Sequence, residues 1–315
     1  MKTLQLSIIV PLRDEAGNLR ELHRRLVAVM EKVGCRRQIL FVDDGSVDGS
    51  MEIIRELAAG DPSVQGIQLS RNFGHEIAIT AGLDTVGGDA TVLMDADLQD
   101  PPELIEEMLA RWREGNEIVY AVRRRREGES RFKKWTSWLF YRLLDRLSDV
   151  TIPVDAGDFR LIDRKVRNAV RHCRERDRFV RGLVAWAGFK TASVVYDRPP
   201  RAAGETKYGP FTLLLLSVDA AIGFSIKPLR AASAVGFVVM FFSLAMGAKI
   251  FIEKLIFGID VPGYALLTSG LFFLGGVQMM MLGILGEYIG RIYRQVQERP
   301  LYLVTETIGE EGGMK

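Results

Sequence analysis

Clusters of acidic residues follow three apolar runs in the N-terminal part of the chain. They are Arg13-Asp14-Glu15, Asp43-Asp44-Gly45-Ser46-Val47-Asp48 and Asp95-Ala96-Asp97-Leu98-Gln99-Asp100. A buried strand gains nothing from paired carboxylates at its end unless a cation or a hydrogen-bonding ligand lies there. Asp95 and Asp97 stand two positions apart, so they can converge on one hard divalent cation such as Mg²⁺. Such a cation would neutralise a leaving diphosphate, and the third cluster therefore predicts metal-assisted phosphate chemistry.

A basic segment provides a second candidate site. Between Arg123 and Lys134 there are seven basic residues and two acids, a net charge of +5, and the amphipathic stretch Trp135–Leu147 follows. Cations beside an apolar face suit a lipid phosphate or an anionic membrane surface, whereas the simpler interpretation is a solvated charged loop. Under the first interpretation, Arg123, Arg131 and Ser137 are the candidates for contacting a phosphate.

These residues are positioned by an alternation of strands and helices. Apolar runs typical of strands occur at Gln5–Pro11, Gln38–Val42, Val64–Leu69, Ala90–Met94 and Glu117–Val122. Helical spacing of apolar residues occurs between them at Leu19–Val33, Met51–Ala59, Glu76–Val86 and Glu103–Arg113. This alternation predicts an α/β fold with a mostly parallel sheet covered on both faces. Ligands of such sheets bind beyond the carboxyl ends of the strands, which is where the acidic clusters fall.

Composition narrows the classes of protein that remain. The chain has 315 residues, enough for one large domain and an appendage, and its net charge of +2 gives no indication of nucleic-acid binding. Neither the two cysteines nor the three histidines are spaced as zinc ligands, so any metal is expected on oxygen ligands. One histidine, His75, stands at a predicted helix start after Arg71-Asn72-Phe73-Gly74, where we expect a structural role.

Two apolar segments lie in the C-terminal part of the chain. Ala231–Phe251 has one charge, Lys249, and Tyr264–Gly286 has none, so each matches the roughly 20 residues that cross a bilayer. Two buried core helices are the alternative, but uncharged runs of this length are rare in soluble folds. Basic residues flank the pair, whereas the connecting loop Ile252–Gly263 has a net charge of −1. We therefore predict a hairpin of two transmembrane helices with both chain ends in the cytoplasm.

The segments around this hairpin define the remaining boundaries. Phe211–Ile226 is rich in leucine and phenylalanine, which is typical of an interfacial helix on a membrane, with an ordinary core helix as the alternative. The polar end Thr305–Lys315 is expected to fray. The predicted organisation is a cytoplasmic catalytic domain over 1–210, an interfacial helix over 211–228, a transmembrane hairpin over 229–290 and a cytoplasmic tail over 291–315.

The order of the motifs resembles one enzyme family. Pro-x-x-x-Glu at Pro11–Glu15, Asp-Asp-Gly-Ser-x-Asp at Asp43–Asp48 and the string Asp95–Glu103 are similar to family 2 glycosyltransferases of the GT-A fold. The last string resembles the branch of dolichol-phosphate mannose synthases and bacterial polyprenyl-phosphate glucosyltransferases. The resemblance continues through Asp155–Leu161 and Arg201–Tyr208 and ends in the membrane hairpin of the bacterial members. It implies a GT-A, Rossmann-like catalytic domain.

The resemblance also implies a role for each matching residue. The nucleotide-binding residues would be Pro11, Arg13, Glu15, Asp43, Asp44, Ser46 and Asp95, although the family's usual Tyr-Asn-Glu is Arg13-Asp14-Glu15 here. The metal ion, Mg²⁺ or Mn²⁺, and the diphosphate would be held by Asp95, Asp97 and Gln99. Asp158 stands at the position often given the role of base, Lys207 would reach toward a phosphate, and Arg201 would join the acceptor-phosphate side.

The implied reaction is transfer of one sugar from a nucleotide-sugar to the phosphate of a polyprenyl lipid at the cytoplasmic membrane. UDP-glucose is the favoured donor, with UDP-N-acetylhexosamines, UDP-aminoarabinose derivatives and GDP-mannose still open, and undecaprenyl phosphate is the expected acceptor in a bacterium. A phosphate monoester is largely dianionic at neutral pH, so it needs little deprotonation and Asp158 can orient groups instead. We expect a single in-line displacement that inverts the anomeric centre.

Other functions remain open. A processive polysaccharide synthase shares the nucleotide-binding half, but its Gln-x-x-Arg-Trp motif is absent. A non-catalytic membrane tether that binds nucleotide or lipid is disfavoured by the intact Asp95 and Asp97 pair, Asp158 and Lys207. A lipid flippase would need more than two spans to enclose a pathway. The resemblance and the hairpin favour a homo-oligomer.

Overall fold

The computed structural model describes residues 4–123, 156–196, 227–257 and 263–309. They belong to two units, a sheet domain and a pair of long helices. The predicted interfacial segment 211–226 lies outside the described residues, as do Arg131, Ser137, Arg201 and Lys207.

An eight-stranded sheet forms the first unit. Its strands are β1 (Gln5–Leu12), β2 (Arg36–Asp43), β3 (Val64–Leu69), β4 (Ala90–Leu93), β5 (Ile118–Arg123), β6 (Ala156–Asp163), β7 (Thr191–Tyr196) and β8 (Val304–Ile308). Their order across the sheet is β7-β5-β6-β4-β1-β2-β3-β8. The pairs β1–β2, β1–β4, β2–β3 and β5–β7 are parallel, whereas β6 is antiparallel to both of its neighbours and β8 is antiparallel to β3. The predicted mostly parallel α/β sheet is confirmed.

Helices cover both faces of this sheet. They are α1 (Ala16–Val33), α2 (Ser50–Gly60), α3 (His75–Thr85), α4 (Leu104–Arg113), α5 (Arg164–His172) and α6 (Val180–Trp186). One core contains the apolar sides of α1, α2 and α4, and the other contains those of α3, α5 and α6. Consecutive residues of β1 enter opposite cores, Ile8 the first and Ile9 the second, which is why the strand is a continuous apolar run.

Helix α1 illustrates how the local sequence sets an element. Leu19, Leu22, Leu26 and Met30 recur every three or four positions and are buried, so one face of the helix packs on the sheet. The helix ends where Gly34 adopts a left-handed conformation with φ of 65° and its N–H donates to the Met30 carbonyl. Glycine adopts this conformation without steric cost, so it terminates helices well.

The expectation that the chain frays from Thr305 is wrong for residues 305–308, which belong to strand β8. Strand β8 pairs with β3, with Gly66 opposite Ile308, and the Arg55 guanidinium forms an ion pair of 2.7 Å with Glu306. The pairing supplies backbone partners for β3, which would otherwise be an exposed edge. Val-Thr-Glu-Thr-Ile is rich in β-branched residues, a strand signal that its polar flanks obscured.

The described part of the second unit contains α7 (Lys227–Phe257) and α8 (Tyr264–Val296). Large apolar side chains such as Phe241 and Leu271 are exposed along them. By length and composition, one described segment could cross a bilayer, Phe273–Val296 with a mean hydropathy of 1.3, and the apolar stretch Gly236–Ile250 is shorter. Helix α8 continues past the predicted end of the hairpin at residue 290.

Candidate active site

The carboxyl ends of β1 and β2 are tied together by their following loops. Leu12 and Asp43 are partners in the sheet register, so the two loops begin side by side. The Asp14 N–H donates to Ser46 Oγ over 2.9 Å, and the Val47 N–H donates to Asp14 Oδ1 over 2.9 Å. The structure therefore brings the first two acidic clusters into one place, as expected for a shared ligand site at this edge.

Asp43 is fixed inside this pair of loops. It is fully buried, its Oδ1 accepts the Ser46 N–H over 3.0 Å and the Ser46 hydroxyl, and its Oδ2 accepts from Gln68 Nε2 over 3.2 Å. A carboxylate held by several donors keeps one orientation. Asp43 and Ser46 thus form a hydrogen-bonded pair with a fixed orientation where nucleotide binding was predicted.

Asp44 has a different task. Its two carboxylate oxygens accept the N–H groups of Phe73 and Gly74 over 2.7 and 2.9 Å. Burial raises the pKa of Asp44, although these two hydrogen bonds oppose that shift. A Cβ on Gly45, which has φ of +73°, would lie 2.8 Å from the Arg71 carbonyl carbon. Asp44 therefore holds the loop before α3 against β2, and its predicted nucleotide contact stays a prediction.

The third acidic cluster forms a tight turn after β4. Leu98 has a positive φ of 60°, and Asp97 Oδ1 accepts the Gln99 N–H over 3.1 Å. Gln99 itself is buried. Burial raises the pKa of Asp95 to about 6, with the charges of Asp100, Asp158 and Asp97 adding to the shift and that of His75 opposing it. The turn thus concentrates negative charge around Asp95, where the metal was predicted.

The antiparallel strand β6 places Asp158 in the same cluster. Arg160 is the register partner of Leu93 at the end of β4, so the start of β6 adjoins the Asp95 turn. His75, the first residue of α3, lies between the two acids, with its Nε2 atom 3.6 Å from Asp95 Oδ1 and 3.6 Å from Asp158 Oδ2. One ligand atom from each of these three residues lies within 4.8 Å of the others, a spacing that could hold a metal ion.

His75, for which a structural role was expected, lies in the acidic cluster of the candidate site. Burial lowers its pKa, but the hydrogen bond to Asp158 and the charges of Asp95, Asp158 and Glu76 outweigh burial and raise the pKa to about 9. The imidazole is therefore protonated at neutral pH and forms a cationic bridge between two carboxylates. Asp44 holds the loop that precedes α3, and for this reason the first residue of α3 lies at the site.

Asp158 is also held by two arginines that the sequence did not single out. Its Oδ1 accepts from an Arg160 terminal nitrogen over 2.8 Å, and its Oδ2 accepts from an Arg181 terminal nitrogen over 2.9 Å. Burial opposes ionisation, but the hydrogen bond to His75 and the charges of Arg181 and Arg160 hold the pKa of Asp158 well below its usual range. Because β6 is antiparallel and α6 is short, no periodicity could have indicated these partners.

The predicted acceptor residues are described only in part. Arg123 ends β5, and β5 has the same direction as β4, so the chain at Arg123 reaches the edge of the sheet that carries the acidic clusters. Pro11 is at the end of β1, and Arg13 and Glu15 follow in the loop above Asp43. The other acceptor candidates lie outside the described residues.

Comparison with known proteins covers nearly the whole chain. The model of "Glycosyl transferase family 2" matches residues 7–171, and that of "GtrB C-terminal hairpin" matches residues 227–292. The uncharacterized glycosyltransferase YkcC of Bacillus subtilis is 48% identical over 315 residues, covering 98% of this chain and 95% of that protein. The uncharacterized glycosyltransferase sll0501 of Synechocystis is 43% identical, covering 98% and 97%.

A third relative has a more specific name. The SfII prophage-derived bactoprenol glucosyl transferase of Shigella flexneri is 38% identical over 304 residues, covering 96% of this chain and 98% of that protein. The acidic clusters that meet at one sheet edge, the family matches and these relatives agree. The chain belongs to glycosyl transferase family 2, in the branch that has the GtrB C-terminal hairpin and includes bactoprenol glucosyl transferases.

Proposed function

We propose that this protein transfers one sugar, with glucose from UDP-glucose favoured, to the phosphate of a polyprenyl lipid and inverts the anomeric centre. The observation that carries the proposal is the cluster of His75, Asp95 and Asp158 beside the Asp43 loops. The name of the Shigella relative supports the class of acceptor and the sugar. The product would be a polyprenyl-phosphate sugar for glycosylation of the cell envelope.

A divalent cation, Mg²⁺ or Mn²⁺, fits the charge of this site. Burial and, after it, the charges of neighbouring carboxylates raise the pKa of Asp95 to about 6, and a cation would relieve the repulsion among these carboxylates. Asp95, Asp97 and Gln99 would hold it, since their oxygens are ligands that these ions prefer. When bound, the ion would supply electrostatic stabilisation of the leaving diphosphate.

The displacement itself needs little acid–base chemistry. A phosphate oxygen of the acceptor forms the new bond to the anomeric carbon, and the bond from that carbon to the diphosphate breaks with its electron pair going to the diphosphate. The hydrogen bond to His75 and the charges of Arg181 and Arg160 hold the pKa of Asp158 well below its usual range against the effect of burial, so Asp158 is ionised at physiological pH and is a poor proton acceptor. Asp158 instead can orient the groups around it, since its two oxygens accept from Arg160 and Arg181.

The acceptor side is assigned by charge. The lipid phosphate would be bound by Arg123, Arg131, Ser137 and Arg201, and the catalytic candidate Lys207 would reach toward a phosphate. The exposed apolar surfaces of α7 and α8 support a membrane hairpin of two spans, with the catalytic domain and both chain ends in the cytoplasm. A homo-oligomer remains part of this proposal.

The test is label transfer by the full-length protein in detergent. Purified protein receives undecaprenyl phosphate, Mg²⁺ or Mn²⁺ and each labelled nucleotide-sugar in turn, and label extracted into organic solvent is counted. We expect label from one donor only, its loss on chelation and in Asp97→Asn, and full activity in the matched control Glu107→Gln, an exposed acid on α4. NMR of the product should show inverted anomeric configuration.

Each other outcome has its own meaning. Nucleotide binding without transfer from any donor would favour a non-catalytic membrane tether. A product of several linked sugars would indicate a processive synthase. Retained configuration would exclude a single displacement.

A further inference from the structure

Arg181 is one of two arginines on the same carboxylate. It is the second residue of α6, and a terminal nitrogen lies 2.9 Å from Asp158 Oδ2, while Arg160 occupies Asp158 Oδ1 at 2.8 Å. One arginine would suffice to neutralise Asp158. The second leaves the three-residue group with a formal charge of +1, beside His75, Asp95 and Glu76, whose charges also act on Asp158.

The two arginines differ in their surroundings. The Arg160 side chain is 1% exposed and also donates to the Gly157 and Asp158 carbonyls, so the fold encloses it. The Arg181 side chain is 29% exposed, and its Nε has no hydrogen-bond partner within the described residues, although that atom is buried. A guanidinium has five N–H donors, and Arg181 therefore retains donors for a ligand.

The position of Arg181 is fixed against the catalytic cluster. The N–H of the preceding residue, Val180, donates to Glu76 Oε2 over 2.7 Å, which ties the start of α6 to the first turn of α3. The Asp158 oxygen that Arg181 contacts is the same atom that lies 3.6 Å from His75 Nε2. Arg181 is thus linked to Asp95 through Asp158 and His75.

We propose that Arg181 is a phosphate-binding residue of this active site, whose guanidinium binds phosphate oxygens while Asp158 orients it. The proposal rests on the proposed function, because the phosphates are those of the nucleotide-sugar or of the lipid acceptor. A planar guanidinium matches two oxygens of a phosphate and stays charged at every physiological pH, whereas lysine provides only a point charge. Binding to the phosphates of the nucleotide-sugar and binding to the phosphate of the lipid acceptor would give different results in the following test.

The test compares Arg181→Gln and Arg181→Lys with a matched control in the full-length protein in detergent. The control is Arg164→Gln, which removes an exposed arginine paired with Asp89 at the opposite edge of the sheet. Affinities for UDP, GDP and UMP are measured by calorimetry with Mn²⁺ present, and KM is measured separately for donor and acceptor. Thermal melting reports folding.

If Arg181 binds the donor, Arg181→Gln should weaken UDP or GDP binding about tenfold or more, because a hydrogen bond to a charged group is lost, while UMP binding changes less than about twofold. If it binds the acceptor, UDP or GDP affinity stays unchanged and the acceptor KM rises about tenfold or more. In both cases Arg181→Lys should recover only part of the loss, and Arg164→Gln should match the wild type.

A lower kcat with every affinity and KM unchanged would overturn the proposal, since Arg181 would then act only through Asp158. Failure of both Arg181 variants to fold would overturn it as well and assign a structural role. The affinity measurements do not require that the protein transfers sugar. If the wild type binds UDP or GDP but transfers no sugar, the proposed function is refuted. The affinity measurements would still decide whether Arg181 binds a phosphate.

Discussion

Asp95 is a residue of the candidate site whose charge depends on pH just below neutrality. Its pKa is raised from 3.8 to about 6 by burial and by neighbouring acids, so its proton competes with a metal below that pH. We predict that Mn²⁺ affinity is nearly constant above about pH 7 and falls roughly tenfold per pH unit below about pH 6. Calorimetric titration at several pH values checks this. An affinity that does not change between pH 5 and 7, or that Asp95→Asn leaves intact, would exclude Asp95 as a ligand.

A second prediction concerns the stability of a variant at Asp158. Asp158→Asn removes the anion that compensates Arg160, whose side chain is buried in the sheet. Leaving one partner of a buried ion pair costs about 3–5 kcal/mol of stability, so the melting temperature should fall strongly. The control Glu56→Gln breaks the exposed pair with Arg20 and should change little. Equal melting temperatures for the two variants would contradict the assigned role.

The acids of the site could be predicted from the sequence, but their partners could not. Asp43, Asp95 and Asp158 each stand in a motif, and the carboxyl ends of parallel strands are known to converge. Arg160 stands in the same string as Asp158, but nothing in that string indicates that the two pair, and His75 and Arg181 stand in none of these motifs. Their meeting depends on antiparallel pairing of β6 beside β4 and on a short helix, and this non-local arrangement leaves no mark in the spacing of residues.

At the scale of elements, α3 packs on β1 more closely than a side chain allows. A Cβ added at Gly82 would lie 2.3 Å from Ile9 Cγ2, so alanine must displace the helix whose first residue is His75. We predict that Gly82→Ala lowers stability by about 1–3 kcal/mol and also reduces activity. Gly17→Ala on α1 meets nothing within 4 Å and should be neutral or slightly stabilising. Thermal melts and transfer assays check both, and an inert Gly82→Ala would refute this packing constraint.

Another prediction concerns the removal of strand β8. Truncation after Pro300 removes the strand that pairs with β3 and the Arg55 partner Glu306. The exposed edge of β3 should then lower the melting temperature and promote self-association, because unpaired edges recruit other strands. Truncation after Gly309 keeps β8 and should behave as the full chain does. Gel filtration and melting distinguish the two, and a product of the first truncation with the oligomeric state and stability of the full chain would count against the role of β8.

Across the whole molecule, the most local patterns were the easiest to predict. The predicted strands and helices of residues 5–113 match the observed ones, because each carries its own apolar periodicity. Strand β8 was missed since its partner β3 is more than two hundred positions earlier, and pairing over such a distance cannot be read from a short polar segment. The same strand nevertheless bears on membrane topology.

The sheet contains strands from both sides of the helical pair. Strands β1 to β7 precede α7, and β8 follows α8, yet all eight belong to one sheet. A chain that spans the membrane between them must therefore cross it an even number of times. We predict that the loop between the helices is outside and the C-terminal end is in the cytoplasm, in agreement with the charges that flank the helices.

Cysteine labelling tests this topology in intact bacterial cells. In a Cys35→Ser, Cys173→Ser background, Asp260→Cys in the connecting loop should react with a membrane-impermeant maleimide, whereas Gly312→Cys should react only after permeabilisation. Labelling of Gly312→Cys in intact cells would contradict the shared sheet, because β8 would then face the outside. Protection of Asp260→Cys until permeabilisation would instead mean that the helices do not cross and that the apolar faces of α7 and α8 lie on the inner surface of the membrane.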